Sequence, residues 1–103
     1  MDTNVNIIDL VLTFKWFDKI KSGEKTHEYR SVEKWEKRLK TKIYEFEMDK
    51  KPLWLRLRRG YTKTFMMFNV KHVSCNHGSL TDLKTDELVY DFHLAEMLSS
   101  NCS

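Results

Sequence analysis

The sequence has little of what breaks regular structure: three glycines and one proline in 103 residues. Aromatic residues make up 13%, hydrophobic residues 41% and charged residues 32%. This balance excludes a disordered or low-complexity chain and is typical of a folded domain. A chain of this length fits one core, so we predict a single domain over residues 1–103.

The sequence also lacks a long apolar run. No segment approaches the roughly 20 residues that a membrane helix needs, so we expect no membrane partner. The opening MDTNVNIIDLVL has neither the basic nor the long apolar part of a secretory signal. Cys75 and Cys102 are therefore expected to be reduced thiols in a cytoplasmic protein. Motifs for phosphate loops, serine triads and paired metal-binding carboxylates are missing too, and no cofactor is expected.

Charge is unevenly spread along the chain. Residues 34–63 carry eleven Lys/Arg against four Asp/Glu, whereas residues 74–103 carry one Lys against five acids. A basic middle and an acidic tail suggest one electropositive face, which attracts polyanions such as RNA by counterion release. A solvated, lysine-rich surface explains the same pattern without a ligand.

Hydrophobic spacing predicts two helices in the first half. One covers Phe14–Ser22, with Thr13 as its N-cap and Gly23 directly after its end. The other covers Val32–Lys40 and begins after Ser31. The second helix has a thin apolar stripe and is expected at the surface.

Six segments are predicted to be strands from their alternation or composition: Ile7–Leu12, Glu24–Arg30, Ile43–Met48, Leu53–Arg58, Phe65–Cys75 and Leu88–Leu94. A change of period near His72–Val73 indicates a bulge. So many short strands favour a closed or nearly closed barrel that hides its edges. We therefore predict an α+β fold: a small barrel of about six strands with two flanking helices, frayed from about residue 99.

The segment Gly23–Arg30 has no apolar face. Because unpaired buried charge is unfavourable, its side chains must pair with each other, face water or meet a ligand. We predict that Glu28 pairs with Arg30, and that Lys25 can reach a phosphate or carbonyl group. The alternative is an edge strand whose self-paired charges prevent aggregation.

A second polar cluster follows the Leu53–Arg58 strand. Arg56, Arg58 and Arg59 with Tyr61 suit phosphate contact and base stacking, although edge protection explains them equally. His72, Cys75 and His77 are zinc-type ligands within six residues. Their spacing matches no common zinc pattern, so we expect packed side chains and no metal site.

The stretch from Leu10 to Arg30, LVLTFKWFDKIKSGEKTHEYR, resembles the opening of ASCH domains, which are relatives of the PUA fold. The family's mark is a helix that ends in Gly-x-Lys-Thr with an arginine a few residues on, here Gly23, Lys25, Thr26 and Arg30. The segment LRRGYTKTFM (57–66) looks like the middle of small bacterial and phage ASCH proteins. Residues 89–92 resemble the closing strand more loosely, so the resemblance covers most of residues 7–94.

The resemblance implies a PUA-like barrel of six strands and a cleft lined by the Gly-x-Lys-Thr strand. PUA-like domains mostly bind RNA or modified nucleotides there. By this resemblance Lys25, Thr26 and Arg30 contact phosphate or a base carbonyl. Stacking is then expected of Tyr29 or Tyr61, and backbone contacts of Arg56, Arg58 and Arg59.

Some ASCH proteins are enzymes, which gives a second hypothesis. One small bacterial group removes the acetyl group of N4-acetylcytidine and resembles this chain at Lys25. That group also uses a threonine three positions on, where this chain has Glu28, and a distant glutamate for which Glu87 is a candidate. Others are described as ribonucleases, for which Lys25, Glu28 and His27 are the candidates. Lys25 as base or nucleophile and Glu28 as proton carrier are the predicted catalytic pair.

A third hypothesis is a protein-binding module of phage origin, which small size and uneven charge allow. A homodimer is a further prediction about partners. Trp35, or the face that carries Phe65 and Met67, is the candidate dimer patch.

Overall fold

The computed structural model describes residues 5–81 and 85–101. The helices and strands are β1 (Asn6–Leu12), α1 (Phe14–Lys21), β2 (His27–Ser31), α2 (Val32–Met48), β3 (Leu53–Arg59), β4 (Phe65–His77) and β5 (Leu88–Ser100). A short 3-10 turn at Gly78–Leu80 follows β4. Over these residues the fold is α+β, as predicted, with one mixed sheet and two helices.

The predicted helix caps are confirmed. The Thr13 hydroxyl accepts a hydrogen bond from Trp16 N at the start of α1, and the Ser31 hydroxyl does the same for Lys34 N in α2. Gly23, which follows the C-cap residue Ser22 of α1, has φ +85°, a conformation that residues with a Cβ rarely adopt. Neither of the helices described is long and apolar enough to cross a membrane.

The strand predicted at Ile43–Met48 is wrong, because α2 continues to Met48. Leu39 and Ile43 are buried on one stripe of this helix, and Phe46 packs against the same core. Their spacing of four and three residues is helical, and no glycine or proline interrupts the chain between Lys40 and Met48. The alternation of apolar and acidic residues in this segment coincides with the helical stripe and does not reflect a strand.

The sheet has the order β1-β3-β4-β5-β2, with β1 parallel to β3 and the other neighbours antiparallel. Among the described residues it therefore has five strands, one fewer than predicted. The first and second strands of the chain form its two edges. The polar segment is thus an edge strand, paired to β5 from His27↔His93 to Ser31↔Val89.

The core lies between one face of this sheet and the two helices. Alternate residues of β3 (Leu53, Leu55 and Leu57) are fully buried there, and Phe17 of α1 and Phe92 of β5 meet them. Each such side chain contributes about 1.5–3 kcal/mol on burial. The opposite face of the strands carries most of the polar residues.

The two long C-terminal strands run further than predicted. β4 reaches His77 and has register shifts at three places, the last between Val70 and His72, close to the predicted bulge. β5 continues through Ser100, where fraying from about residue 99 was expected. Asn101 is tied down as well, since its amide donates to Lys63 O and accepts from Phe65 N. Cys102, the second predicted thiol, lies outside the described residues, while Cys75 is a free, exposed thiol.

The helical state of residues 43–48 predicts the sign of a stability difference. Tyr44 and Glu47 are exposed on α2, so their double alanine variant should be more stable than their double valine variant by about 1 kcal/mol, because valine is the poorer helix former. Urea unfolding of both variants measures this. In the matched control at Lys71, exposed on β4, Lys71→Val should exceed Lys71→Ala in stability. A more stable double valine variant would contradict the helix.

Candidate functional site

The two edges of the sheet approach each other near the start of α1, and we call the gap between them the seam. A cavity of about 200 Å³ lies there. Its lining consists of Val11, Leu12, Thr13 and Trp16 on the β1–α1 side and Lys25, Glu28, Tyr29 and Arg30 on the β2 side. Four of the residues predicted for ligand contact or catalysis, Lys25, Glu28, Tyr29 and Arg30, thus surround one cavity.

Lys25 is held between two aromatic rings. Its Nζ lies 5.0 Å from the ring centre of Trp16 and 4.4 Å from that of Tyr29. The turn after α1 fixes this position, since Lys25 N donates to Lys19 O at 3.1 Å. Contact with ring faces stabilises the ammonium and limits its access to water. The amine is thereby presented to the cavity with its direction set.

Glu28 and Arg30 form the buried ion pair that alternation along β2 predicts. Arg30 Nε and Nη2 each lie 2.7 Å from Glu28 Oε2, and Glu28 is 4% exposed. Arg30 Nη2 also donates to Val11 O of β1 at 3.1 Å. Its guanidinium lies 5.1 Å from the ring centre of Trp35 in α2. One side chain therefore joins both edges of the sheet and the second helix.

Burial raises the pKa of the Glu28 carboxyl above its ordinary value. The charge and hydrogen bonds of Arg30, the charge of Lys25 and the backbone N–H of Tyr29 act in the opposite direction but do not cancel the effect of burial. A carboxyl with a raised pKa beside an oriented amine is an arrangement that suits proton transfer.

A second cavity, of about 430 Å³, adjoins the seam. Trp16, Lys25 and Tyr29 line both cavities. The second is further lined by Lys19, Glu24, Thr26 and His27. Thr26, predicted as a ligand contact, has an exposed side chain here, and its carbonyl accepts a hydrogen bond from Leu94 N at 3.0 Å. Because the two cavities share Trp16, Lys25 and Tyr29 in their walls, we call them together the groove.

The structure does not bring the arginine cluster to this groove. Arg56 and Arg58 lie on β3, where Asp9 of β1 is 3.6 Å and 3.4 Å from their Nε atoms. Arg59 makes a two-point ion pair with Asp18, at 2.9 and 3.0 Å, and its guanidinium lies over Phe14. Tyr61 is 95% exposed at the tip of the hairpin. These residues line neither cavity.

Two other predicted positions are also outside the groove. The Glu87 carboxylate accepts a hydrogen bond from the Ser31 hydroxyl and lines neither cavity. Of the three zinc-type residues near the end of β4, His72 contacts the ring of His93, whereas His77 bonds Ser79. Phe65, Met67 and Trp35, the candidate dimer patch, are only partly buried.

Sequence reasoning missed a second polar cluster, on the opposite face of β2. His27, the buried Asp91 and His93 place their ligand atoms within 4.8 Å of one another. The sequence contains part of the signal for this cluster, because Asp91 and His93 share one face of a strand whose other face is apolar. This pattern does not identify His27 as their partner, because that contact depends on the long-range pairing of β2 with β5.

Comparison of the chain with protein-family profiles and with curated proteins finds no match in either. A proposal for the function therefore depends on the chemistry of the groove.

Loss of Arg30 should destabilise the protein far more than loss of a surface arginine. Arg30→Ala leaves the Glu28 carboxyl buried without its cation, which costs about 3–5 kcal/mol. Arg56→Ala is the matched control, because its pair with Asp9 is half exposed and contributes about 0–1 kcal/mol. Chemical denaturation of both variants measures the difference. Equal, small losses would show that Arg30 does not hold the edges together.

The raised pKa of Glu28 predicts a pH effect on stability. The folded state binds this proton more tightly than the unfolded state, whose value is near 4.5. The stabilisation that this proton provides is therefore complete below about pH 4.5 and is lost as the pH rises through the folded-state pKa. As the pH rises from about 4.5 through the folded-state pKa, the free energy of unfolding of the wild type should fall relative to that of Glu28→Gln, which has no proton to lose at this position. Parallel pH profiles for the two proteins would contradict the assignment.

Proposed function

We propose that the protein binds RNA or a modified nucleotide in the groove, with Lys25 as the central contact. The observation that supports this proposal most directly is the position of the Lys25 amine between the rings of Trp16 and Tyr29. An ammonium in this position donates hydrogen bonds to a phosphate or base carbonyl, and the two aromatic rings beside it are of the kind on which a base stacks. The ASCH resemblance supports the same cleft, since its Gly-x-Lys-Thr segment supplies Lys25 and Thr26.

The size of the groove favours a small group over a long strand. The seam cavity of about 200 Å³ is below the range of roughly 300–1,000 Å³ typical of pockets for drug-sized ligands, so it suits a single base. The adjoining cavity, with Lys19 and Lys25 in its wall, suits the attached sugar and phosphate. A PUA-like barrel, with its closure between β1 and β2 at the seam, is the architecture that we propose with this function.

The arginines of β3 have a secondary role in this proposal. Arg56 and Arg58 are partly exposed and lie on the strand next to β1, so a bound strand can pass from the groove to them. Their pairs with Asp9 are surface ion pairs and exchange readily for phosphate.

A hydrolase that acts on a modified nucleoside or on RNA is the second candidate. Its support is Glu28, a carboxyl with a raised pKa that lines the same cavity as Lys25. Lys25 would then polarise the substrate carbonyl with its ammonium while water adds to the carbonyl carbon. Glu28 would carry a proton from that water to the leaving group as the bond to this group breaks. Binding ranks first because Arg30 already holds Glu28 in an ion pair, which opposes its use as a free acid.

Titration with a short RNA and with a panel of modified cytidines tests both candidates. We expect wild-type binding that weakens steeply as salt increases, and a loss of about 10- to 100-fold in Lys25→Ala. Lys40→Ala removes the same charge from an exposed site on α2 outside the groove and is the matched control. Mass spectrometry of the same mixtures detects any product.

The outcomes separate the candidates. Binding without product, weakened in Lys25→Ala and preserved in Lys40→Ala, supports a binding protein. Product that disappears in Lys25→Ala and in Glu28→Gln, with the fold intact by circular dichroism, supports the hydrolase. Affinity that is independent of salt and of Lys25 would overturn the proposed groove.

A further inference from the structure

Three histidines lie side by side on the outer face of the sheet. The register pairs His27 of β2 with His93 of β5, and His93 with His72 of β4. Ring centres are 4.3 Å apart for His27 and His93 and 4.9 Å apart for His72 and His93. Asp91, two residues before His93 and therefore on the same face, completes the cluster.

The carboxylate of Asp91 is the centre of this cluster. Its Oδ1 lies 2.7 Å from His27 Nδ1, and its Oδ2 lies 3.5 Å from His93 Nε2. The Asp91 side chain is 7% exposed. The Asn76 amide donates to Oδ2 at 2.9 Å, which fixes the orientation of the carboxylate from outside the histidine pair. A metal ion held by the carboxylate and the two imidazoles would neutralise this buried charge.

We propose that His27, Asp91 and His93 bind a divalent transition-metal ion of the zinc type. Two imidazole nitrogens and one carboxylate oxygen are a ligand set found in zinc sites with an open position. Zinc bonds of about 2.0–2.2 Å in tetrahedral geometry place ligand atoms roughly 3.4 Å apart. The three ligand atoms already lie within 4.8 Å of one another, so ring rotations of modest size form the site.

The surroundings of the cluster fit a metal site in two further ways. Asn76 supplies the outer hydrogen bond that ligating carboxylates commonly have. The exposed His72, whose ring centre lies 4.9 Å from that of His93, is a candidate for the fourth ligand, and water is the alternative. The thiol of Cys75 is not part of the cluster, because its register partner Tyr90 lies on the other alternation of β5.

A serine-type triad is the competing arrangement, and the geometry opposes it. Ser74 Oγ lies 3.3 Å from His93 Nε2, the same nitrogen that faces Asp91. A triad needs the serine and the carboxylate on opposite nitrogens of the imidazole. One nitrogen then accepts the serine proton while the other donates a hydrogen bond to the carboxylate. The metal site does not depend on the function proposed for the groove, although His27 also lines the second cavity.

Cobalt titration tests the site. The 103-residue chain, with Cys75→Ser and Cys102→Ser to remove thiol ligands, is stripped with a chelator and titrated with Co²⁺. We expect one equivalent bound, with visible absorption bands of a nitrogen and oxygen ligand set that disappear when Zn²⁺ is added. His93→Ala and His27→Ala should each weaken binding by at least about 100-fold, since each removes a ligand. His77→Ala, at an exposed histidine outside the cluster, should bind as the parent does.

A second measurement keeps the test decisive if a variant fails to fold. In the unaltered chain, the imidazole NMR signals of His27 and His93 should shift with one equivalent of Zn²⁺, while those of His77 stay in place. Binding that survives both histidine substitutions, or the absence of any shift at His27 and His93 at millimolar Zn²⁺, would overturn the proposal.

Discussion

The buried pair of Glu28 and Arg30 is the interaction on which the site depends. Backbone pairing leaves β1 and β2 as opposite edges of the sheet, so nothing in the ladder of hydrogen bonds fixes the distance between them. The side chain of Arg30 fixes this distance, because its planar guanidinium contacts Glu28, the carbonyl of Val11 and the face of Trp35. A guanidinium suits this role because it stays charged when buried and donates in several fixed directions. The shape of the cavity beside it follows from that side chain.

One short strand supplies two different chemical environments. Alternation along β2 directs Glu28 and Arg30 to the core side and His27 and Tyr29 to the outer side. The pairing of Glu28 with the fully buried Phe92 fixes this register, because a slip of one residue would move the charges out and the histidine in. The polar composition of the strand therefore does not reflect weak structure. It reflects two sets of partners, one on each face.

Local patterns predicted a large part of this structure, and long-range pairing explains the rest. Thr13, Ser31 and Gly23 mark helix ends through contacts within four residues, so the sequence contains the whole signal. The pair of Glu28 and Arg30 was equally accessible, since side chains two apart share a strand face. Residues 43–48 were wrongly predicted as a strand because apolar and acidic residues alternate there, although the same apolar residues also form a helical stripe. The partners of Arg56 and of Asp91 depend on strands distant in sequence, which no local pattern identifies.

The order of the strands has a consequence for how the protein is made. Asn6 of β1 pairs with Leu53, and His27 of β2 pairs with His93. β1 therefore stays without its neighbour until β3 has been made, and β2 until β5 has been made. Contacts so distant along the chain carry a large loop-closure entropy and form late. During synthesis β2 has no strand to pair with until β5 has left the ribosome, so a nascent chain that stops short of β5 lacks the partner that holds one wall of the groove.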